Sequence, residues 1–284
     1  MKIVIGLIGK GFVGSAVENG FKNNKNFNPE IYIYDKNEQL STHSLSETIN
    51  CADLIFISVP TPSNINGSIN FDILENLLTE INLKQTNKGI ILIRSTVTPG
   101  TCDYFQNKFQ NIDIVFNPEF LTERNANKDF LNQDRIILGG DSNNTKKVAE
   151  IFQLRFPEVP IIKTDFKTAE LIKYMNNCFF STKVSFLNEM KIVASKIDAN
   201  WDDAINGFTL DSRVGKSHND VPGHDGKLGF GGSCFPKDIR AFIYFMKELD
   251  LDPLILKAVW SVNLDVRPEK DWEKLKGRSI LDNN

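Results

Sequence analysis

One cysteine stands where it can act as a nucleophile. Cys234 lies in the stretch Gly229-Phe230-Gly231-Gly232-Ser233-Cys234-Phe235-Pro236-Lys237-Asp238. The glycines let the backbone approach a ligand closely, and Pro236 marks a helix start, because a proline in the first turn gives up no hydrogen bond. A sulfur at a helix N-terminus beside Lys237 is in surroundings that favour the thiolate. Cys51, Cys102 and Cys178 are widely spaced, form no CxxC pair and have no histidine cluster beside them. Reduced thiols are therefore expected, with neither a disulfide framework nor a zinc site. His218 and His224 have no further ligand set nearby, and no metal is expected.

A second stretch points to a dinucleotide. Gly9-Lys10-Gly11-Phe12-Val13-Gly14 follows a predicted strand and opens a predicted helix, the setting in which GxGxxG carries weight. The turn brings backbone to a pyrophosphate, and the helix N-terminus favours its charge. Asp35 closes the next predicted strand about 20 residues on, placed to accept from a ribose 2′-hydroxyl. A carboxylate there repels a 2′-phosphate, so NAD is expected rather than NADP. Pro60 and Thr61 in Val59-Pro60-Thr61-Pro62, and Ser95 and Thr96 ahead of Val97, sit at strand C-termini, where ligands bind in open α/β sheets.

Together a nicotinamide and a cysteine nucleophile imply one chemistry. Thiolate attack on an aldehyde makes a hemithioacetal, which can lose hydride to become a thioester and then an acid. Hydrolysis needs water and a base, and Asn117-Pro118-Glu119-Phe120-Leu121-Thr122-Glu123 offers two carboxylates just after a predicted strand.

The elements that must hold these residues alternate in the first half. Apolar runs predict strands over Lys2 to Ile8, Glu30 to Asp35, Leu54 to Val59, Gly89 to Arg94, Ile112 to Phe116 and Arg135 to Gly139. Helices are predicted over Val13 to Asn23, Phe71 to Ile81, Gly100 to Phe109 and Asn144 to Phe156, with Thr98 capping and Pro99 opening the third. This is the pattern of a parallel sheet with crossover helices. After a strand-like Val159 to Lys163, Phe166 to Ile197 has no Gly or Pro and reads as one long helix, of a length that bridges domains or packs in a dimer. The expectation is an α/β chain: a Rossmann-like parallel-sheet N-terminal domain over residues 1–165, then a helical central domain over 166–284.

The whole chain sets limits. Its 284 residues, 41% apolar and 24% charged, are enough to bury a sizeable core. A formal net charge of −3 with scattered lysines argues against a nucleic-acid partner. No apolar run approaches the roughly 20 residues of a membrane helix, and the N-terminus carries no signal pattern, so a soluble, cytoplasmic protein is expected.

GKGFVG, VPTP, STVTPGT, NPEFLTE with the later DRIILGG, AELIKYMNN and GFGGSCFPKD occur in an order that resembles the UDP-glucose/GDP-mannose dehydrogenase family across almost the whole chain. The resemblance implies NAD-dependent four-electron oxidation of a nucleotide sugar, UDP-glucose to UDP-glucuronate, in polysaccharide biosynthesis. GDP-mannose and UDP-N-acetylhexosamines stay open as substrates. It also implies that Cys234 is the covalent nucleophile, Asp238 the acid working with a water, and Lys173 the oxyanion stabiliser. Asn177 would lie one turn along as a substrate contact, Glu119 would assist thioester hydrolysis with Glu123 in support, and Thr96 would hold water and cofactor. Glu123 and Lys237 are further implied cofactor contacts. Phe120, Leu121, Phe230, Gly231, Lys183 and Arg213 are implied substrate contacts, the arginine reaching in from a second subunit, so that the helical domain forms a homodimer.

Most members continue into a further α/β domain over the nucleotide, and the expectation here is a short form lacking it. The loop Ser217 to Gly226 is then placed to replace some of its contacts. Two other classes share parts of the pattern. A non-catalytic dinucleotide- or sugar-nucleotide-binding protein would bind without turnover, and a two-electron hydroxyacid dehydrogenase would not need Cys234.

Overall fold

Short runs rich in isoleucine and valine become strands because β-branched side chains suit a pleated, doubly covered surface. The computed structural model describes residues 2–22, 27–87 and 89–281. Among them are β1 (Val4–Ile8), β2 (Glu30–Tyr34), β3 (Leu54–Ile57), β4 (Ile90–Ile93), β5 (Ile114–Phe116), β6 (Ile136–Gly140) and β7 (Ile161–Thr164), paired in the order β2-β1-β3-β4-β5-β6-β7. Crossovers are made by α1 (Phe12–Phe21), α2 (Leu45–Cys51), α3 (Asp72–Lys84), α4 (Thr101–Lys108) and α6 (Ser142–Arg155). Between β5 and β6 lie a turn of 3₁₀ helix (Glu123–Asn125) and the short α5 (Ala126–Leu131). Strand order turns back on itself between β1 and β3, the position at which doubly wound sheets bind ligands.

Alternate strand residues face opposite sides. Ile8, Ile55, Ile57, Ile91, Ile93 and Phe116 pack with residues of α2, α3 and α4. Leu7, Phe56, Leu92, Val115 and Leu138 pack with residues of α1, α5 and α6 on the other face. The phenyl ring of Phe21 lies within 5.7–6.2 Å of those of Phe27, Phe56, Phe130, Phe152 and Phe156. Burial on both faces explains why the strands read as unbroken apolar runs.

Two expectations are corrected and one element is added. First, the sheet is not wholly parallel: β5 and β6 run antiparallel, with Phe116 opposite Gly139. A parallel return needs a crossover that carries the chain back along the sheet. Here the connection forms the Glu119 loop and then α5, which packs on α1, and the chain re-enters beside the end of β5. Second, α4 does not open on Pro99. It starts at Thr101 behind Gly100, whose φ of +94° belongs to the left-handed region that glycine adopts without strain. The added element is α2, which answers to none of the predicted helices and starts on a reciprocal capping box of Ser44 and Glu47. The predicted end of α1 at Asn23 lies outside the described residues.

The chain divides into two compact units, Met1–Thr61 with Phe71–Lys173, and Pro62–Asn70 with Tyr174–Asn284. The division falls inside α7 (Phe166–Lys196), a single helix of 31 residues. The second unit contains the rest of α7 with α8 (Trp201–Thr209), α9 (Cys234–Glu248) and α10 (Leu254–Val266). Its core joins Phe230, Ile239 and Val259 to Val184, Phe235, Ile243 and Trp260. No helix among the described residues is long and apolar enough to cross a membrane.

Candidate active site

In the first unit the glycine turn between β1 and α1 is shaped by close backbone approach. A Cβ on Gly9 would meet the Ser58 carbonyl oxygen at 2.7 Å, and one on Gly14 the Gly9 carbonyl oxygen at 2.0 Å. A Cβ on Gly11 would meet nothing within 4 Å, so the backbone here borders open space. Gly11 is the N-cap of α1 and gives no side-chain cap, which leaves first-turn amides for an anion, beside the half-buried Phe12 and Val13. Asp35 stands at the end of β2. Its Oδ2 accepts from the Lys10 amide at 2.6 Å and its Oδ1 from the Asn37 amide at 2.8 Å, and a carboxylate so placed keeps lone pairs for a ribose hydroxyl. These residues fit NAD.

The segments after β3 and β4 are tied to each other. Ser95 Oγ donates to the Val59 carbonyl at 2.7 Å, and Thr61 Oγ1 to the Thr96 carbonyl at 2.9 Å. The hydroxyls of Ser95 and Thr61 therefore brace the loops, while Pro60 is exposed and Thr96 half-buried.

Beyond β5, the Glu119 carboxylate and the Lys173 ammonium meet at 2.8 Å with side chains only 7% and 4% exposed. Lys173 also donates to the Glu119 carbonyl, and Glu119 Oε2 accepts from the Leu121 amide at 2.9 Å. The Phe120 ring lies 5.6 Å from the ammonium. Behind this pair the buried Arg94 donates to Asn117, and Asn117 Nδ2 donates to the Ile137 carbonyl of β6 at 2.8 Å. Burial pulls Arg94 down to about 10, opposed by the Glu119 charge, so it remains a cation at neutral pH. In ionised form Arg94, Lys173 and Glu119 carry one excess positive charge away from water, a setting that stabilises a developing oxyanion.

In the second unit Cys234 is the first residue of α9 and only partly buried, with Ser233 Oγ 3.7 Å from its sulfur. One turn on, the buried Asp238 receives Lys237 Nζ on Oδ1 at 2.6 Å and Asn177 Nδ2 of α7 on Oδ2 at 2.5 Å. The ammonium of Lys237 is thus bound to Asp238. Cys178, next to Asn177, is buried, and burial followed by the Asp238 charge pushes its thiol well above the usual range.

The loop leading to Cys234 is held by side chains that the sequence did not single out. Asn263 accepts the Phe230 amide at 2.7 Å and donates to the Phe230 carbonyl at 3.0 Å, and Asn188 accepts the Gly229 amide at 3.0 Å. Arg267 bonds Asp225, Asp271 and the Leu228 carbonyl, and its guanidinium stands where a Cβ on Gly231 would lie. Burial pushes the Asp225 and Asp271 carboxyls up, and the Arg267 hydrogen bonds more than offset it, leaving both below the usual range.

Other expected residues are placed by their own partners and elements. Lys183 Nζ donates to the carbonyls of Val214, Gly215 and Ser217, and burial lowers it from the usual lysine range. Arg213 is exposed and bound to Asp211, and Glu123 sits in an exposed turn of 3₁₀ helix. Asn188, Asn263, Arg267 and Arg94 belong to none of the motifs, and Asn117 opens one whose carboxylates alone suggest chemistry. Their one signal is a polar residue inside an otherwise apolar run, as in Ile93-Arg94 and Val262-Asn263. Among the described residues no group of three His, Cys, Asp or Glu is placed to hold a metal.

Comparison with known proteins gives two matches to one family. The NAD binding domain of the UDP-glucose/GDP-mannose dehydrogenase family matches residues 30–155, and its central domain matches residues 167–265. A UDP-glucose 6-dehydrogenase of Rickettsia conorii is 36% identical over 253 residues, covering 84% of this chain and 57% of that protein. One of Haloferax volcanii is 32% identical over 247 residues, covering 81% and 56%. The structure of a UDP-glucose dehydrogenase from the hyperthermophilic archaeon Pyrobaculum islandicum superposes with a TM-score of 0.81 at 28% identity, covering 97% of this chain and 71% of that one. The chain spans somewhat over half the length of the curated relatives it matches.

Proposed function

The chain belongs to the UDP-glucose/GDP-mannose dehydrogenase family, and from that premise we propose that it oxidises the primary alcohol of a nucleotide sugar, UDP-glucose first among them, to the carboxylate through Cys234. Bound NAD supplies the hydride acceptor for each of two two-electron oxidations. The main support is the first turn of α9, where a partly exposed cysteine at a helix N-terminus is followed one turn later by a buried carboxylate held by Lys237 and Asn177.

In the first oxidation Asp238 takes the hydroxyl proton through a water as hydride leaves the sugar carbon, and Thr96 is assigned to holding water and cofactor. Lys173, a donor-only group, stabilises the oxyanion. The Cys234 thiolate then adds to the aldehyde carbon, and loss of a second hydride from the hemithioacetal leaves a thioester. Water activated by Glu119 cleaves the C–S bond, releasing the carboxylate and regenerating the thiolate. Asn177, Phe120, Leu121, Phe230 and Gly231 are assigned to the sugar nucleotide. Lys183 and Arg213 are assigned to its phosphates, which requires each to leave the partners it holds here.

The working unit is proposed to be a homodimer. On α7, Met175, Phe179, Phe186, Met190 and Val193 are exposed at steps of three, four or seven residues, the spacing of a helix face that packs on another helix. A second copy presents the same face, as two-fold interfaces require. Free cysteines fit a reaction in the reducing cytoplasm, with the uronate passing to polysaccharide synthesis.

The test is stoichiometric. Purified chain is given excess NAD and limiting UDP-glucose, and NADH is counted per sugar consumed. Two NADH per sugar is the expected outcome. One means that the reaction stops at the aldehyde, against the covalent step. None with UDP-glucose, GDP-mannose or a UDP-N-acetylhexosamine, alongside measurable NAD binding, favours a non-catalytic binding protein.

A further inference from the structure

We propose that Glu170 is a positioning residue whose carboxylate, carried on α7, clamps the N-terminus of α4 and so sets the place of the Ser95–Gly100 loop that bears Thr96. Glu170 is fully buried, and neither of its oxygens is idle. Oε2 accepts from the Gly100 amide at 2.6 Å and Oε1 from the Cys102 amide at 2.8 Å. The first amides of a helix have no partner within the helix and normally turn to a nearby Ser, Thr, Asp or Asn. Here α4 begins behind a glycine that provides no cap, and both amides are met by a residue about 70 positions further along the chain. The other end of the loop is fastened by Ser95 to Val59 and by Thr61 to Thr96. Of these fastenings, Glu170 is the one that ionises.

The choice of a carboxylate has a physical consequence. Ionised, it offers an acceptor to each amide and meets the positive end of the helix dipole. Protonated, one oxygen carries a hydrogen, and the two amides no longer have equal acceptors. Two titratable groups of α4 act on it, Cys102 and Asp103. The Cys102 thiol of α4 also hydrogen-bonds it, and burial keeps that thiol neutral. Asp103 of α4 repels it at longer range and lies 3.6 Å from the exposed Lys167 of α7. Burial pushes the Glu170 carboxyl up to about 7 against the pull of the two amides, which puts the change of state in the neutral range. One turn along α7, Lys173 is fastened to Glu119, so the same stretch of helix restrains the loops after β4 and after β5.

The functional part of this inference rests on the reading of Thr96 as a cofactor contact, and two measurements separate the two. Amide exchange of Gly100 and Cys102 in the unaltered chain, corrected for intrinsic rates, is followed from about pH 6 to about pH 8. Protection is expected to rise several-fold as Glu170 ionises, and protection that does not change overturns the clamp. NAD affinity is then measured over the same range for the unaltered chain and for Glu170→Gln. The unaltered chain is expected to bind up to roughly tenfold more tightly at the upper pH, following the ionised fraction, while the variant binds weakly and without that slope. Equal affinities and equal slopes in the two proteins overturn the positioning role. If NAD binds neither protein, the proposed function fails and the exchange measurement alone decides the clamp. It decides it too if the variant does not fold.

Discussion

Cys234 differs from the other three cysteines in its surroundings rather than its chemistry. Cys102 and Cys178 are buried, and burial pushes both thiols far above the usual range, while Cys51 is exposed on the last turn of α2. Cys102 also lies in the first turn of a helix, but Cys234 joins a helix N-terminus, where the dipole favours negative charge, to partial exposure. Replacing Cys234 by Ser is therefore expected to abolish uronate formation and leave the fold intact. Undiminished uronate production by the folded variant, assayed by separating the sugar products, would reject the thioester route. Of the candidate residues, Cys234, Asp238, Glu119 and Lys173 were legible because each stands in a contiguous motif. Asn263 and Arg267 were not, since nothing near them in the sequence announces the loop they hold.

At the scale of elements, α7 and α4 show how stability and local order part company. The folded-state carboxyl of Glu170 lies above the value of about 4.5 it has when exposed, so the folded chain holds its proton over a range where the unfolded chain has lost it. Its contribution to stability is full below about pH 4.5 and is lost as pH rises through about 7, a decline of roughly 3 kcal/mol. The α4 clamp strengthens over the same interval, because the ionised form that costs desolvation is also the better acceptor. Denaturant titrations at a series of pH values should show this decline in the unaltered chain and a smaller one in Glu170→Gln. Parallel curves would mean that Glu170 titrates as an ordinary carboxyl. The starts of α2 and α4 contrast: the cap of α2 is written three residues apart in Ser44 and Glu47, whereas the cap of α4 is delivered from α7 and leaves no local signal.

Each unit of the whole molecule has its own core, one on both faces of the sheet and one around Phe230 and Ile239. The exposed apolar face of α7 is more than a lone soluble helix needs, and its proposed cover is the same face of a second copy. Phe179→Asp with Met190→Asp places a charge on that face in two positions already open to solvent. The double variant is expected to fold and to sediment as a monomer at concentrations where the unaltered chain is a dimer. A monomeric unaltered chain, or a dimer that survives both charges, would remove α7 as the interface.

The succession of strands along the chain, the glycine turn at Gly9 and a helix start beside Cys234, expected at Pro236 and found two residues earlier, could be read from the sequence, because each depends on neighbours in the chain: alternation of apolar residues, φ freedom at glycine, a proline in a first turn. The reversal of β6 against β5, the cap that Glu170 gives α4 and the Arg94–Asn117 support behind Glu119 were decided only by the tertiary structure. In each case the partner is chosen by distance through space, and a buried donor must be met by whichever acceptor the packing brings within about 3 Å.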